Sequence, residues 1–522
     1  MSVTLASDLS TNPHTAEQLG VVAHTDSRAV AELLRRADVV ARRLSMTAPI
    51  DRARWLDAVA DALLLHQEEL ALLADEETAL GLPRLRDEIA GAARSARFYA
   101  SVAVDGLYLG ASSETVNDAT TLSRWNIPVG PVAVFGASNF PFGFGVFGHD
   151  VASAIAAGCP VVVKAHPAHP RLSVRLAQLA ADALATAGAP GGLYGLVVGF
   201  EAGLQIVDAP EICAVAFTGS QSGGMALLER AARRGVPVFA EMGTVNPVFV
   251  TRDAVRTPEQ VESIANGFVA SFTLGAGQFC TKPGLLFAPS GCGMRDAVSG
   301  AVALVEPAPL LTVGIAEHFA SGVGELEATS RSAAADANAN ASTNASVSPQ
   351  TGTWSSARLV SVALDDLQPG SRLLEECFGP VALLCEYDDA DAAARALINL
   401  QGCLVASVFV GEDYGDTDEA VNLVAQLCPR VGRVTVNAWP TGVVNTWSQH
   451  HGGPWPAASR SEATSVGAGA LNRFVRPVAL QNARPRMLPD ALRADNPWNI
   501  PRRLDGVFTA PALRTAQPKV NQ

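Results

Sequence analysis

Between residues 131 and 241 the sequence repeats one unit, a short apolar run followed by a helix-like stretch. The runs cover 131–135, 160–164, 194–198, 214–217 and 236–240, and the stretches between them 145–157, 171–188, 201–208 and 221–234. This alternation predicts an α/β fold whose parallel sheet is covered on both faces. Such sheets bind ligands at the carboxyl ends of their strands. The residues placed there are Asn139, Lys164, Gly199, Thr218-Gly219-Ser220 and Glu241.

At 522 residues the chain is too long for one small core, so two or three domains are expected. Residues 26–105 read as helical, with Asp51 as a cap and Trp55, Val59, Leu63, Leu70 and Leu73 at helical spacing. Residues 106–130 read as a hairpin or connecting strand pair, and 247–437 as a second α/β region. Within it, 328–353 is rich in Ala, Ser, Asn and Thr and reads as a surface loop or insertion. The tail from about Arg486, rich in Pro and Arg, reads as a surface arm.

The formal net charge of −13 argues against nucleic acid as a partner, since phosphate binding needs a basic face. An anionic substrate or dinucleotide then depends on individually placed donors. No apolar run is long enough to span a membrane, and Met1 to Gly20 lacks a basic start followed by an apolar stretch. The expectation is a cytoplasmic protein with its eight cysteines reduced; they show no CxxC and no metal-type pairing.

Three fragments carry chemistry. In Gly275-Ala-Gly-Gln-Phe-Cys280-Thr a cysteine follows a glycine-rich turn, where its side chain can attack a carbonyl and its N–H can hold the oxyanion. In Phe239-Ala-Glu241-Met-Gly-Thr a carboxylate ends an apolar strand, where desolvation favours a general base. In Phe135-Gly-Ala-Ser-Asn139-Phe-Pro141 a side-chain amide lies just past a strand, placed to donate to an oxyanion. Each fragment alone also fits a purely structural role: a buried thiol, a paired strand-end carboxylate, a turn asparagine.

Together, and in this order, they resemble the aldehyde dehydrogenase superfamily along nearly the whole chain. The resemblance implies Cys280 as nucleophile, Glu241 as general base and Asn139 as oxyanion donor. It implies NAD or NADP as cofactor, bound by Lys164 at the adenosine ribose, by Gly219 and Ser220 near the pyrophosphate, and by Glu376 with Phe378 at the nicotinamide ribose. It also implies the family's plan. A Rossmann-like cofactor domain takes 1–109 and 129–246, and an α/β catalytic domain 247–445. Oligomerisation strands take 110–128 and 466–485, and a C-terminal arm 486–522. A homodimer or homotetramer follows from that plan.

Lys164-Ala-His-Pro-Ala-His-Pro170, Gly267-Phe-Val-Ala-Ser271, His451-Gly-Gly-Pro454 and Asn472-Arg-Phe-Val-Arg-Pro477 resemble one branch in particular. It comprises the 2-oxoglutarate semialdehyde (2,5-dioxovalerate) dehydrogenases, close to NADP-dependent fatty aldehyde dehydrogenases. The implied substrate is a small aldehyde, 2-oxoglutarate semialdehyde or a longer apolar one. Phe142, Phe147, Gln278 and His451 are candidates for the substrate tunnel, with Phe140, Phe144, Trp447 and Trp455 as further aromatics. A catalytically idle fold and a CoA-acylating enzyme are the competing classes; the co-occurrence of Cys280, Glu241 and Asn139 opposes the first, and Glu241 the second. Cys377 replaces the usual Ile or Val, a volume-tolerant exchange.

Some motifs mislead. Gly143-Phe-Gly-Val-Phe-Gly148 is a literal GxGxxG, but it reads as lying inside the helix after Asn139, with no acidic residue twenty positions on. His166 and His169 each precede a proline and have no cysteine or carboxylate cluster, so no metal is expected. His450 and His451 read either as a surface pair or, for His451, as a support for the nucleophile.

Overall fold

The computed structural model describes residues 6–330, 352–411 and 418–510. Most of the loop expected at 328–353 lies outside the described residues. An N-terminal hairpin, β1 (Ser7–Thr11) and β2 (Gln18–Ala23), precedes four helices: α1 (Ser27–Leu44), α2 (Pro49–Leu65), α3 (Gln67–Thr78) and α4 (Leu82–Asp105). Asp51 is not a cap. Pro49 opens α2, and Asp51 lies in its first turn, where a negative charge meets the positive end of the helix.

β3 (Ser112–Asn117) and β4 (Thr120–Pro128) form the expected hairpin. The five apolar runs then become β5 (Val132–Phe135), β6 (Val161–Lys164), β7 (Tyr194–Val197), β8 (Ala214–Gly219) and β9 (Val238–Met242). They form a fully parallel sheet in the order β7-β6-β5-β8-β9. Helices α5 (His149–Ala157), α6 (Pro170–Thr186), α7 (Phe200–Asp208) and α8 (Gln221–Ala232) connect the strands. The two-residue period of a strand sorts side chains onto two cores. Val132, Val134, Val161 and Val163 pack with α2, α4, α5 and α6. Ala133, Val162 and Val215 pack with α1, α7 and α8. The strand order reverses between β5 and β8, and a crevice at that point is where such a sheet takes a ligand.

The second region is another parallel sheet. Its strands are β10 (Pro247–Val250), β11 (Leu285–Pro289), β14 (Arg358–Val362), β15 (Val381–Tyr387), β16 (Cys403–Phe409) and β17 (Val431–Val436), ordered β14-β15-β11-β10-β16-β17. The small pair β12 (Ala308–Pro309) and β13 (Trp354–Ser355) lies apart from it. Helix α9 (Pro258–Thr273) covers one face. Residues 243–246 run from β9 of the first sheet to β10 of the second, and the chemistry gathers at that junction.

A third sheet joins β18 (Val475–Gln481) to β4 and β3 and continues through β19 (Arg502–Leu504) and β20 (Val507–Thr509). Thus part of the tail read as an arm adds strands to this sheet. Its strands are three residues long, too short to show alternation.

Candidate active site

The loop that carries Cys280 is set by its backbone. Helix α9 starts with a capping box between Thr257 and Gln260 and ends at Thr273. Gly275, Ala276 and Gly277 then take positive φ in succession, which turns the chain back on itself. At Gly277 a Cβ would lie 2.3 Å from the Gly379 carbonyl oxygen, so no side chain fits there. Asn246 ties down the far side of the loop: its Nδ2 donates to the carbonyls of Cys280 (2.7 Å), Thr244 (3.1 Å) and Lys282 (3.1 Å).

Three strands deliver the partners of Cys280. Asn139, just past β5, is buried, and its Nδ2 donates to the Gln278 carbonyl at 2.9 Å. Glu241, within β9, is buried, and its Oε2 accepts from Ser465 Oγ at 2.6 Å. His451, in the Gly-Gly segment beyond β17, completes the group. Its Nε2 lies 3.7 Å from Cys280 Sγ and its Nδ1 lies 2.8 Å from Glu241 Oε2. The second contact is off the N–H axis, so it acts as a close charge pair rather than as a straight hydrogen bond. Glu241 Oε1 is buried with no protein partner.

The electrostatics follow from this packing. Burial lowers the His451 pKa, but the charge of Glu241 and the contacts to Cys280 and Glu241 outweigh it, lifting it to about 10. Burial raises the Glu241 carboxyl; His451, Ser465 and Arg473 more than reverse that and hold it below the usual carboxylate range. The pair is therefore an imidazolium and a carboxylate. A small cavity lies beside Glu241, His451, Ser465 and Arg473.

The residues expected at the cofactor occupy the carboxyl ends of the first sheet and the facing loop. Lys164 is half-buried at the end of β6, and burial lowers its pKa against the pull of Asp8. Gly219 and Ser220 are exposed at the end of β8, where Ser220 Oγ caps α8 through the Gly223 N–H (3.2 Å). Glu376 faces Gly243, where a Cβ would lie 1.8 Å from its Oε2. Burial raises the Glu376 pKa, against the opposing charges of Lys282 and Arg372. Phe378 is half-buried in the same loop. Lys282 clamps that loop, its Nζ donating to the carbonyls of Cys377 (2.8 Å), Gly379 (3.0 Å) and Val381 (2.8 Å).

The tunnel candidates separate. His451 lies beside Cys280. Phe142 and Phe147 are buried in the core, Phe147 against Tyr194. The Gln278 amide holds the loop, donating to the Gly275 carbonyl and accepting from the Leu311 N–H. The aromatics at the site are Phe140, Phe144 and Phe279: Phe140 meets Phe279 at 5.0 Å and Phe144 meets His451 at 6.3 Å between ring centres. Trp447 and Trp455 are exposed. The expectation rested on a helix after Asn139, but α5 begins only at His149 and the GxGxxG lies in the turn before it. A Cβ at Gly145 would lie 1.7 Å from the Pro141 oxygen, and one at Gly148 2.2 Å from the Gly143 oxygen. The Phe142 and Gly143 amides donate to Glu88, so this turn cradles a carboxylate of its own chain.

His169 is buried against Ser173 and the Ala137 carbonyl, consistent with a structural role. The Cys377 thiol packs on Gly322, which has no side chain to displace it.

Comparison with known proteins gives the context. A profile of the Aldehyde dehydrogenase family matches residues 7–454. The chain belongs to the aldehyde dehydrogenase family. It is 38% identical over 507 residues to alpha-ketoglutaric semialdehyde dehydrogenase 2 of Azospirillum brasilense, covering 95% of this chain and 94% of the relative. It is 36% identical to alpha-ketoglutaric semialdehyde dehydrogenase of Acinetobacter baylyi, covering 88% and 87%. The crystal structure of an NAD-dependent aldehyde dehydrogenase from Sinorhizobium meliloti superposes with a TM-score of 0.75 at 24% identity, covering 91% of each chain. The α/β aldehyde dehydrogenase fold expected above is thus the fold observed.

Four residues around the dehydrogenase site went unnoticed in the sequence: Asn246, Lys282, Ser465 and Arg84. Lys282 did leave a signal. A lysine two positions after the cysteine, followed by an apolar strand, is one that the fold must bury and satisfy. Ser465 left none, being far from Glu241 along the chain. Among the described residues no helix is long and apolar enough to cross a membrane.

Proposed function

We propose that this dehydrogenase oxidises 2-oxoglutarate semialdehyde to 2-oxoglutarate through a thioester on Cys280. The substrate reading is carried by the two semialdehyde dehydrogenases, which align with most of the chain. The mechanism reading is carried by the distances that connect Cys280, His451 and Glu241.

A cysteine attacks as the thiolate, and the His451 ring lies 3.7 Å from the Cys280 sulfur. Attack on the aldehyde carbon places a negative oxygen between the Asn139 amide and the Cys280 backbone N–H. One Asn139 N–H is used by Gln278, which leaves the other for this oxygen. Gly243 leaves room for the Glu376 carboxyl and Gly219 for the Phe217 ring, and Lys164, Ser220, Glu376 and Phe378 would hold NAD or NADP between the two loops. A nicotinamide held there would supply the oxidant, the acceptor for the aldehyde hydrogen as hydride. Glu241 then takes a proton from the water that cleaves the thioester. Its Oε1 is the oxygen left free for that water, since Oε2 is engaged by Ser465 and His451.

The assembly is inferred to be a homodimer or homotetramer. The third sheet supports this, exposing Val116, Leu122, Val507 and Phe508. The substrate reading is tested by initial rates of reduced-cofactor formation with 2-oxoglutarate semialdehyde and with pentanal, each with NAD and NADP. A clear preference in kcat/KM for the semialdehyde supports it, and equal or better use of pentanal overturns it.

A further inference from the structure

A substrate with a carboxylate has to be drawn into an acidic protein, so the cation that receives it should be recognisable. Arg84, in the first turn of α4, stands apart from the other arginines near the site. Its Cζ lies 4.7 Å from the centre of the Phe279 ring and 5.2 Å from that of Phe140. One Nη donates to the Asn139 carbonyl at 2.7 Å. The guanidinium therefore touches both loops that act on the aldehyde, at residues adjacent to Cys280 and to Asn139. Its other Nη is buried and has no hydrogen-bond partner.

Glu88, one turn further along α4, is the nearby anion: its charge acts on Arg84, but its Oε1 accepts from the Phe142 and Gly143 amides and it makes no direct hydrogen bond to the guanidinium. A half-buried guanidinium with one buried, unpartnered Nη is costly unless a further acceptor completes it. Gly275 lies over the unpartnered Nη, and a Cβ there would come within 2.3 Å of it. Only a residue without a side chain fits against the guanidinium at this point. Arg433, a half-buried arginine close enough to interact with Cys280, already holds the carbonyls of Pro440 and Gly442 with its fork.

We propose that Arg84 binds the carboxylate of the substrate and so makes the enzyme selective for aldehyde acids. This rests on the substrate reading above. A guanidinium between two rings is held in plane, which suits a forked contact to a carboxylate.

The test compares wild type, Arg84→Met and Arg84→Lys on 2-oxoglutarate semialdehyde and on pentanal, with inhibition by 2-oxoglutarate measured alongside. Arg84→Met is expected to lose about 10- to 100-fold in kcat/KM on the semialdehyde, mostly through KM, and to weaken 2-oxoglutarate inhibition by a similar factor. Its kcat/KM on pentanal should hold. Arg84→Lys keeps the charge without the fork and should lose less, again on the semialdehyde alone; it answers the question if the Met variant does not fold. An equal loss on both aldehydes would overturn the proposal, reducing Arg84 to a support for the Asn139 loop while leaving the substrate reading intact. Failure of the substrate reading would show separately, as a wild type that does not prefer the semialdehyde, and would remove the carboxylate role with it.

Discussion

The imidazole of His451 stands 3.7 Å from the sulfur of Cys280, with Glu241 against its opposite nitrogen. Replacing this ring removes the positive charge beside the nucleophile. His451→Gln should slow alkylation of Cys280 by iodoacetamide at neutral pH by about 10-fold or more and lower kcat by about 10²-fold. Unchanged alkylation would place His451 outside nucleophile activation.

The same ring makes stability depend on pH. Its pKa is lifted from 6.5 to about 10 in the fold, so the folded state holds the proton more tightly than the unfolded state does. The stabilisation is complete below about pH 6.5 and is lost as pH rises to about 10. Urea unfolding at pH 6.5 and pH 10 should show wild type losing more stability over that interval than His451→Gln. Parallel losses would contradict the ion pair.

Glu241→Gln keeps the size of the side chain but removes the proton acceptor. Rapid mixing with aldehyde and cofactor should give a burst of reduced cofactor close to one per site, followed by slow turnover. If burst and turnover fall together, Glu241 acts before the thioester and its assigned role is wrong.

Lys282→Met strips the donor from three carbonyls of the Glu376 loop. Unsatisfied buried carbonyls cost about 1–3 kcal/mol each at most, so a lower melting temperature is expected. The KM for the cofactor should rise more than the KM for the aldehyde, since the loop carries Glu376 and Phe378, the residues proposed to hold the cofactor. Equal effects on both would mean that the clamp is purely structural.

Much of this was legible in sequence for specific physical reasons. Strands such as β6 read clearly because Val161, Val162 and Val163 are apolar on both faces, as a doubly covered strand must be. Cys280, Glu241 and Asn139 stand out only as a set, since a polar group at a turn or strand end is by itself equally a structural residue. The tunnel did not. Of the aromatics offered for it, the glycine-rich turn sends Phe140 and Phe144 to the site and leaves Phe142 and Phe147 in the core. His451 remained ambiguous because nothing local distinguishes a surface histidine from one folded onto Glu241 from the far side of a second sheet. Arg84 was invisible for the same reason: its partners, Asn139 and Phe279, belong to loops distant in the chain.

The central claim is that Cys280 carries the acyl group, and the most direct measurement is the mass of the acid-quenched Glu241→Gln enzyme after mixing with 2-oxoglutarate semialdehyde and oxidised cofactor. The expected result is an adduct with the mass of the acyl group, located on the peptide containing Cys280 and absent when Cys280→Ala is added to the same background. Reduced cofactor formed at the wild-type rate by Cys280→Ala, or an adduct on any other residue, would contradict the account.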